Sequence, residues 1–256
     1  MKNKYFDIVV KKLSKYRNKL IEIQKVKEIV KNILDTDYSE KKLYKMIYYL
    51  KNRNYLESLK KEIFFVKNPE KKYTESWFTE QFYRTILKKH CDDFLKGKRY
   101  IWWIKALELN VNSFEMPEEV TIVNTYKQAT EKVMFQKQAL FKIYESNDKN
   151  LFPIFFKFTK KIYIGKNTFY IAGLELAIVE TLYNQSIINK GYGEELIKKI
   201  LRKSTKNLNI KVREECLKHN KHHSWINKLY KLSQTIDPIL ADKIKALIKR
   251  YSYFIG

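Results

Sequence analysis

Apolar residues recur at helical spacing through the first fifty positions of the chain, interrupted once by a short β-branched run. Tyr5, Ile8, Val9, Lys12 and Leu13 predict a first helix over 4–15. Leu20-Ile21-Glu22-Ile23 is too short for another helix and is followed at once by a new period, which predicts a small strand. Val26, Ile29, Val30 and Ile33 then mark a second helix that stops near Asp35. Asp35-Thr36-Asp37-Tyr38-Ser39 is turn and cap chemistry. Asp37 or Ser39 can accept the orphan N–H groups of the next helix, and Glu40 follows Asp37 at capping-box spacing.

That next helix, over 40–53, has two distinct faces. Leu43, Met46, Ile47 and Leu50 form one apolar stripe. Lys41, Lys45, Tyr48, Tyr49 and Asn52 lie opposite, flanked by Lys42 and Lys51. Two strand-like runs over 55–59 and 62–66 follow, joined by Lys60-Lys61. A tip without Gly or Asn makes a poor tight turn. Strand, helix, turn, helix and hairpin is the order of a winged helix-turn-helix, which lays one helix in the DNA major groove and a wing on the adjacent backbone. The expected DNA contacts are Lys41, Lys42, Lys45, Tyr48, Tyr49, Asn52 and Arg53 on the helix, with Lys60 and Lys61 on the wing. Lysine and asparagine supply donors for phosphates and base edges, and tyrosines reach phosphate oxygens or thymine methyls.

Asn68-Pro69-Glu70-Lys71-Lys72 is a polar break, which sets a first domain over 1–72. A helix over 76–95 follows with Trp77, Phe82, Ile86 and Leu87 inward, then a deeply buried helix over 100–107. Strands are expected over 119–123, 139–144, 154–164 and 169–171, with Gly165-Lys166-Asn167 as a hairpin turn and a helix over 174–183. These elements make 73–183 a small α/β domain. Beyond Tyr192 the pattern is helical throughout, over 194–202, 208–218, 225–233 and 239–251, with Pro238 suited to the first turn of the last helix. The fold class is therefore α+β: an N-terminal winged helix-turn-helix, a central α/β domain and a C-terminal helical region over 184–256. The chain carries no internal repeat and no low-complexity segment.

Composition sharpens this picture. Hydrophobic residues at 45% and aromatics at 15% of 256 residues belong to folded domains. No apolar run of about 18 residues is present, so no membrane span is expected. The first residues meet Lys2, Lys4 and Asp7 too soon for a secretion signal. Cys91 and Cys216 form no C-x-x-C pair, which suits a reducing, cytoplasmic setting. The net charge of +24 comes from 45 lysines and only 7 arginines, the bias of an AT-rich coding sequence. Codon bias alone would spread that charge evenly. Instead the net is +11 over 1–72, +3 over 73–183 and +10 over 184–256. Two basic ends flank a nearly neutral middle, as expected if both ends face polyanions.

Other constellations lack the spacing their chemistry needs. Cys216, His219, His222 and His223 follow no common zinc pattern and read as a surface turn at a helix end. Glu115, Glu118 and Glu119 cluster near Pro117 but lack the strand pattern of a magnesium nuclease. Gly191-Tyr192-Gly193 is not followed by Gly-Lys-Ser/Thr. No Ser-His-Asp order or Cys-His pair suggests itself. The reading is a non-enzymatic chain with no catalytic residue, cofactor or metal assigned.

Several segments resemble a known family. Gly97-Lys98-Arg99-Tyr100-Ile101-Trp102-Trp103-Ile104-Lys105-Ala106-Leu107-Glu108-Leu109 resembles a helix of the AbiEi family, and Pro117-Glu118-Glu119-Val120-Thr121-Ile122-Val123 resembles the strand after it. Ile162-Tyr163-Ile164-Gly165, Phe169-Tyr170-Ile171-Ala172 and Leu174-Glu175-Leu176-Ala177-Ile178-Val179-Glu180-Thr181-Leu182 resemble its late hairpin and helix. The resemblance implies an antitoxin of an abortive-infection, type IV toxin–antitoxin system. Such a protein represses its own promoter at inverted repeats in double-stranded DNA and counteracts a nucleotidyltransferase toxin in phage defence. The toxin's Gly-Ser and paired-Asp signature is absent from this chain. One departure is a reading face with no arginine except Arg53 at its end, which favours phosphate contact over bidentate guanine reading and suggests an AT-rich operator. Two alternatives stand beside it: a nuclease using the central α/β domain with the winged helix as targeting module, and a protein-interaction scaffold.

Overall fold

Val9 and Leu13 on one helix meet Val26, Val30 and Leu34 on the next, and this apolar pairing starts the N-terminal core. In the computed structural model, residues 3–60, 62–94, 98–113, 119–126, 128–147, 149–164, 167–183, 192–204, 210–219 and 224–251 are described. The first elements are α1 (Asn3–Leu13), β1 (Leu20–Glu22), α2 (Ile23–Leu34), α3 (Glu40–Asn52), β2 (Leu56–Lys60) and β3 (Ile63–Val66). The three strands form an antiparallel sheet in the order β1-β3-β2, with Phe65 of β3 between Leu20 and Glu57. Leu43, Met46 and Leu50 of α3 close the core against α1 and α2.

The start of α3 is set by Ser39, whose backbone is extended and whose Oγ accepts from the Lys42 N–H at 3.2 Å. Glu40 turns instead toward Lys27 of α2 and accepts from the Tyr38 hydroxyl at 2.9 Å. Between α2 and α3 the chain reverses through Asp35 at φ 47°.

The β2–β3 hairpin explains what a tip without glycine does. Glu62 takes the left-handed position at φ 68°, and the pairing slips by a residue between Ser58 and Lys60. Such a bulge puts two successive side chains on one side of a strand. Leu59 and Lys60 are accordingly both buried.

The chain divides into two compact units, 1–83 with 131–142 and 84–130 with 143–256. This corrects the division at 72 and 183. The polar stretch after Val66 is a pinned turn and not a linker. The Tyr73 hydroxyl donates to Asn18 Oδ1 at 2.6 Å and accepts from the Asn68 N–H at 2.8 Å. Around the Phe65 ring stand Tyr73 at 5.1 Å, Phe78 at 5.2 Å and Phe82 at 5.4 Å. Phe135 stacks on Phe78 at 4.4 Å. Aromatic burial of this size draws the start of α4 (Glu75–Phe94) and residues 131–142 into the first unit.

The second unit contains β4 (Tyr100–Ile101), α5 (Trp103–Asn110) and β5 (Glu119–Asn124). The hairpin of β6 (Ala129–Phe135) and β7 (Gln138–Asn147), whose residues 131–142 belong to the first unit, follows in the chain, then α6 (Phe152–Phe155) with a 3-10 turn over Phe156–Phe158. Next come β8 (Thr159–Ile164), β9 (Asn167–Ala172), α7 (Leu174–Tyr183) and α8 (Tyr192–Ser204). The remaining helices are α9 (Ile210–His219), α10 (Ser224–Gln234) and α11 (Pro238–Arg250). The sheet order is β6-β7-β5-β4-β9-β8, with β4 parallel to β9 and antiparallel to β5. Three expectations change here. Tyr100 and Ile101 are a strand, because they pair with Val123 and Ile122; residues 154–158 are helical; and β6 was not anticipated. Residues 165 and 166 of the expected hairpin turn lie outside the described residues, although Ile164 and Asn167 pair on either side of them.

Helix α7 explains why the C-terminal region is not a domain of its own. Leu176 through Leu182 are all buried, and α8, α9 and α10 pack against them. The last helix, capped by Asp237 Oδ1 on the Leu240 N–H at 3.1 Å, packs on α10. Buried polar pairs tie the unit together, among them His90 Nε2 with Glu145 at 2.6 Å and Tyr100 donating to Glu180 at 2.9 Å. The fold is mixed α+β with N-terminal helices and a C-terminal helical region. Among the described residues, no helix is long and apolar enough to cross a membrane.

Candidate nucleic-acid interface

Helix α3 presents its polar face because its apolar one is consumed by the core. Lys41, Lys45, Tyr48 and Asn52 are exposed on one stripe, and Lys51 and Tyr44 extend it. Tyr44 is 59% and Tyr48 60% exposed, unusual values for rings on a helix whose other side is fully buried. Tyr44 was missed in the sequence, although its spacing from Lys41 and Tyr48 places it between them. Among the described residues Lys41, Lys45 and Lys51 have no ion-pair partner.

The acids near this helix are engaged at its N-terminal end. Glu40 is bonded to Lys27 and Tyr38, and these two hold its carboxyl below the usual range. The same contact raises the Lys27 ammonium. Asp37 lies 3.4 Å from Lys42, which is half-buried on the flank. Apart from Glu40 in its first turn, which is tied to Lys27 and Tyr38, the solvent stripe of α3 carries lysines, tyrosines and an asparagine.

The remaining expected contact residues are placed differently. Tyr49 is half-buried against the core, with its ring edge-on to Tyr48 at 5.8 Å. The Arg53 guanidinium stands 4.5 Å over the Phe6 ring. Lys60 is corrected outright: its side chain is wholly buried and its Nζ lies 3.5 Å from Glu131 Oε1. The bulge after Ser58 turns it inward, so it does not stand at the tip of a wing. Lys61 lies outside the described residues.

The other candidate chemistry does not assemble. Cys216 is buried while His219 is exposed and near Glu215 at 3.7 Å; His222 and His223 lie outside the described residues. Glu119 opens β5 in solvent, and Glu115 and Glu118 are also outside them. Among the described residues no three His, Cys, Asp or Glu side chains group as metal ligands. Both cysteines are free and buried, and burial pushes the Cys91 thiol up to about 11 and that of Cys216 further.

Neither protein-family models nor curated proteins match this chain.

Proposed function

We propose that residues 1–66 form a winged helix-turn-helix and that the chain is a DNA-binding transcriptional autorepressor. In this reading α3 enters the major groove, with Lys41, Lys45 and Lys51 on phosphates and Tyr44, Tyr48 and Asn52 toward phosphate or base edges. One observation carries the reading: the outward stripe of α3, whose single carboxylate, Glu40, is tied to Lys27 at the N-terminal end, on a helix preceded by a capped turn and followed by a two-stranded hairpin. The sheet order β1-β3-β2 around three helices supports it. The resemblance of residues 97–109, 117–123 and 162–182 to AbiEi proteins extends it to an antitoxin that counteracts a nucleotidyltransferase toxin in phage defence.

The test is salt-dependent binding to the chain's own promoter, measured by fluorescence anisotropy. Each lost phosphate contact flattens the slope of log K against log salt by about 0.9. Lys41→Ala, Lys45→Ala and Lys51→Ala together should flatten it by about 2.7 and weaken binding at every sequence tested. An unchanged slope and affinity in the folded triple variant sink the assignment of α3. Co-expression with a nucleotidyltransferase toxin of an abortive-infection system tests the antitoxin role, where growth arrest that this chain fails to relieve counts against it.

A further inference from the structure

A cavity of about 430 Å³ opens in the second unit, between the C-terminal part of α4, strand β4 and the β8–β9 hairpin. That volume lies within the range of small-molecule sites. Its charged lining is of one sign: Lys88, Lys98, Arg99 and Lys161 line it, and among the described residues no carboxylate does. In a lysine-rich chain any pocket collects some lysines. This one also holds one of only seven arginines, and among the described residues no acidic side chain lines its wall.

Two of the cations share one carboxylate. Asp92, outside the lining, binds Lys88 at 2.6 Å and Arg99 Nη2 at 2.6 Å and so positions both beside the cavity. Lys98 is exposed, with its Nζ 5.4 Å from the centre of the Phe156 ring. In the hairpin register Lys161 stands directly opposite Tyr170 and Tyr163 opposite Thr168. Alternation along two paired strands puts these four side chains on one face. Tyr170 is 44% exposed, and its ring lies 5.4 Å from that of Phe156 at an angle of 47°. An exposed tyrosine thus adjoins the half-buried Phe156 ring and a group of cations.

We propose that this cavity binds one nucleotide unit, with its base against Tyr170 and Phe156 and its phosphate among Lys98, Arg99 and Lys161. Aromatic faces take any base by stacking, and a cluster of cations takes the phosphate that a neutral aromatic ligand would lack. The chemistry is shared by a free nucleoside monophosphate and by a nucleotide within a single strand. The assignment does not depend on the reading of α3.

The experiment uses the full chain carrying the triple α3 substitution, so that α3 contributes no nucleic-acid binding. Calorimetric titrations with AMP, UMP, adenosine, inorganic phosphate and a short single-stranded oligonucleotide separate the sources. Saturation by AMP or UMP with Kd below about 1 mM identifies a free nucleotide, and saturation by the oligonucleotide alone identifies a strand. In either case Tyr170→Ala should weaken binding about tenfold, the effect of losing one stacked base. Lys98→Ala with Lys161→Ala should weaken it at least as much, in variants whose circular dichroism and melting match the parent. The proposal is overturned if neither class of ligand saturates the protein. It is equally overturned if inorganic phosphate or adenosine binds as well as AMP, or if the substituted variants bind like the parent.

Discussion

Replacing Glu131 by Gln removes the charge that faces a lysine with no exposed side-chain surface. Lys60 Nζ stands 3.5 Å from Glu131 Oε1, and the glutamate side chain is 27% exposed. At an effective dielectric of about 20, two unit charges at that separation attract by about 5 kcal/mol, an upper figure before the cost of desolvation. Removing one partner of a buried pair costs about 3–5 kcal/mol, because the other charge stays buried. Partial exposure of Glu131 admits solvent screening, which brings the expected cost of E131Q to about 3 kcal/mol. For a domain of this size each kcal/mol shifts the melting temperature by about 4–8 °C, so calorimetry should lower the first unit's transition by at least about 10 °C. Lys60→Met combined with Glu131→Leu removes both charges and should recover most of the loss. The same lysine supplies a functional control. Because Lys60 faces inward, K60M measured below its own melting temperature should leave the salt slope of DNA binding unchanged. A cost below about 0.5 kcal/mol for E131Q, or a flatter slope in K60M, refutes the inward placement.

Two further outcomes follow from other parts of the fold. A Cβ built on Gly173 would stand 2.6 Å from the Phe158 carbonyl oxygen, where the chain passes from β9 into α7. Gly173→Ala must displace backbone and should cost about 1–3 kcal/mol in chemical denaturation of the second unit; a neutral effect contradicts the close approach. The Glu40 carboxyl is held below 4.5 in the folded protein by Lys27 and Tyr38. Its tether is therefore present above the ordinary carboxylate value and lost as the pH falls through the lowered one. A carboxyl-carbon NMR titration should give a midpoint below 4.5 that Lys27→Met moves back up, and a midpoint at or above 4.5 in the parent counts against the contact.

Much of the first 66 residues is legible along the chain. Helical periodicity identifies α1, α2 and α3 to within a few residues, and Ser39 is one of two cap candidates the turn offers. The two faces of α3 follow from the same spacing, because a residue's side of a helix is fixed by position alone. Tyr100 and Ile101 show where that logic fails. They read as helix beside an apolar run that does form one, but an open edge between β5 and β9 claims them as strand. The β6 segment, with alternating burial and three polar residues, has too weak an apolar signal to stand out.

The sequence by itself determined the first three helices, the basic ends and the outward stripe of α3, since helical period and charge are read from neighbours along the chain. Tertiary structure decided which lysines remain in solvent and where the units divide. A bulge and a glutamate far along the chain turn Lys60 inward, and the stacking of Phe135 on Phe78 binds residues 131–142 to the first unit. It also assembled the cationic cavity, whose walls come from α4, β4 and the β8–β9 hairpin. Contacts between residues distant in sequence leave no period to read. They arise when buried area and charge pairing outweigh the entropy of bringing those segments together.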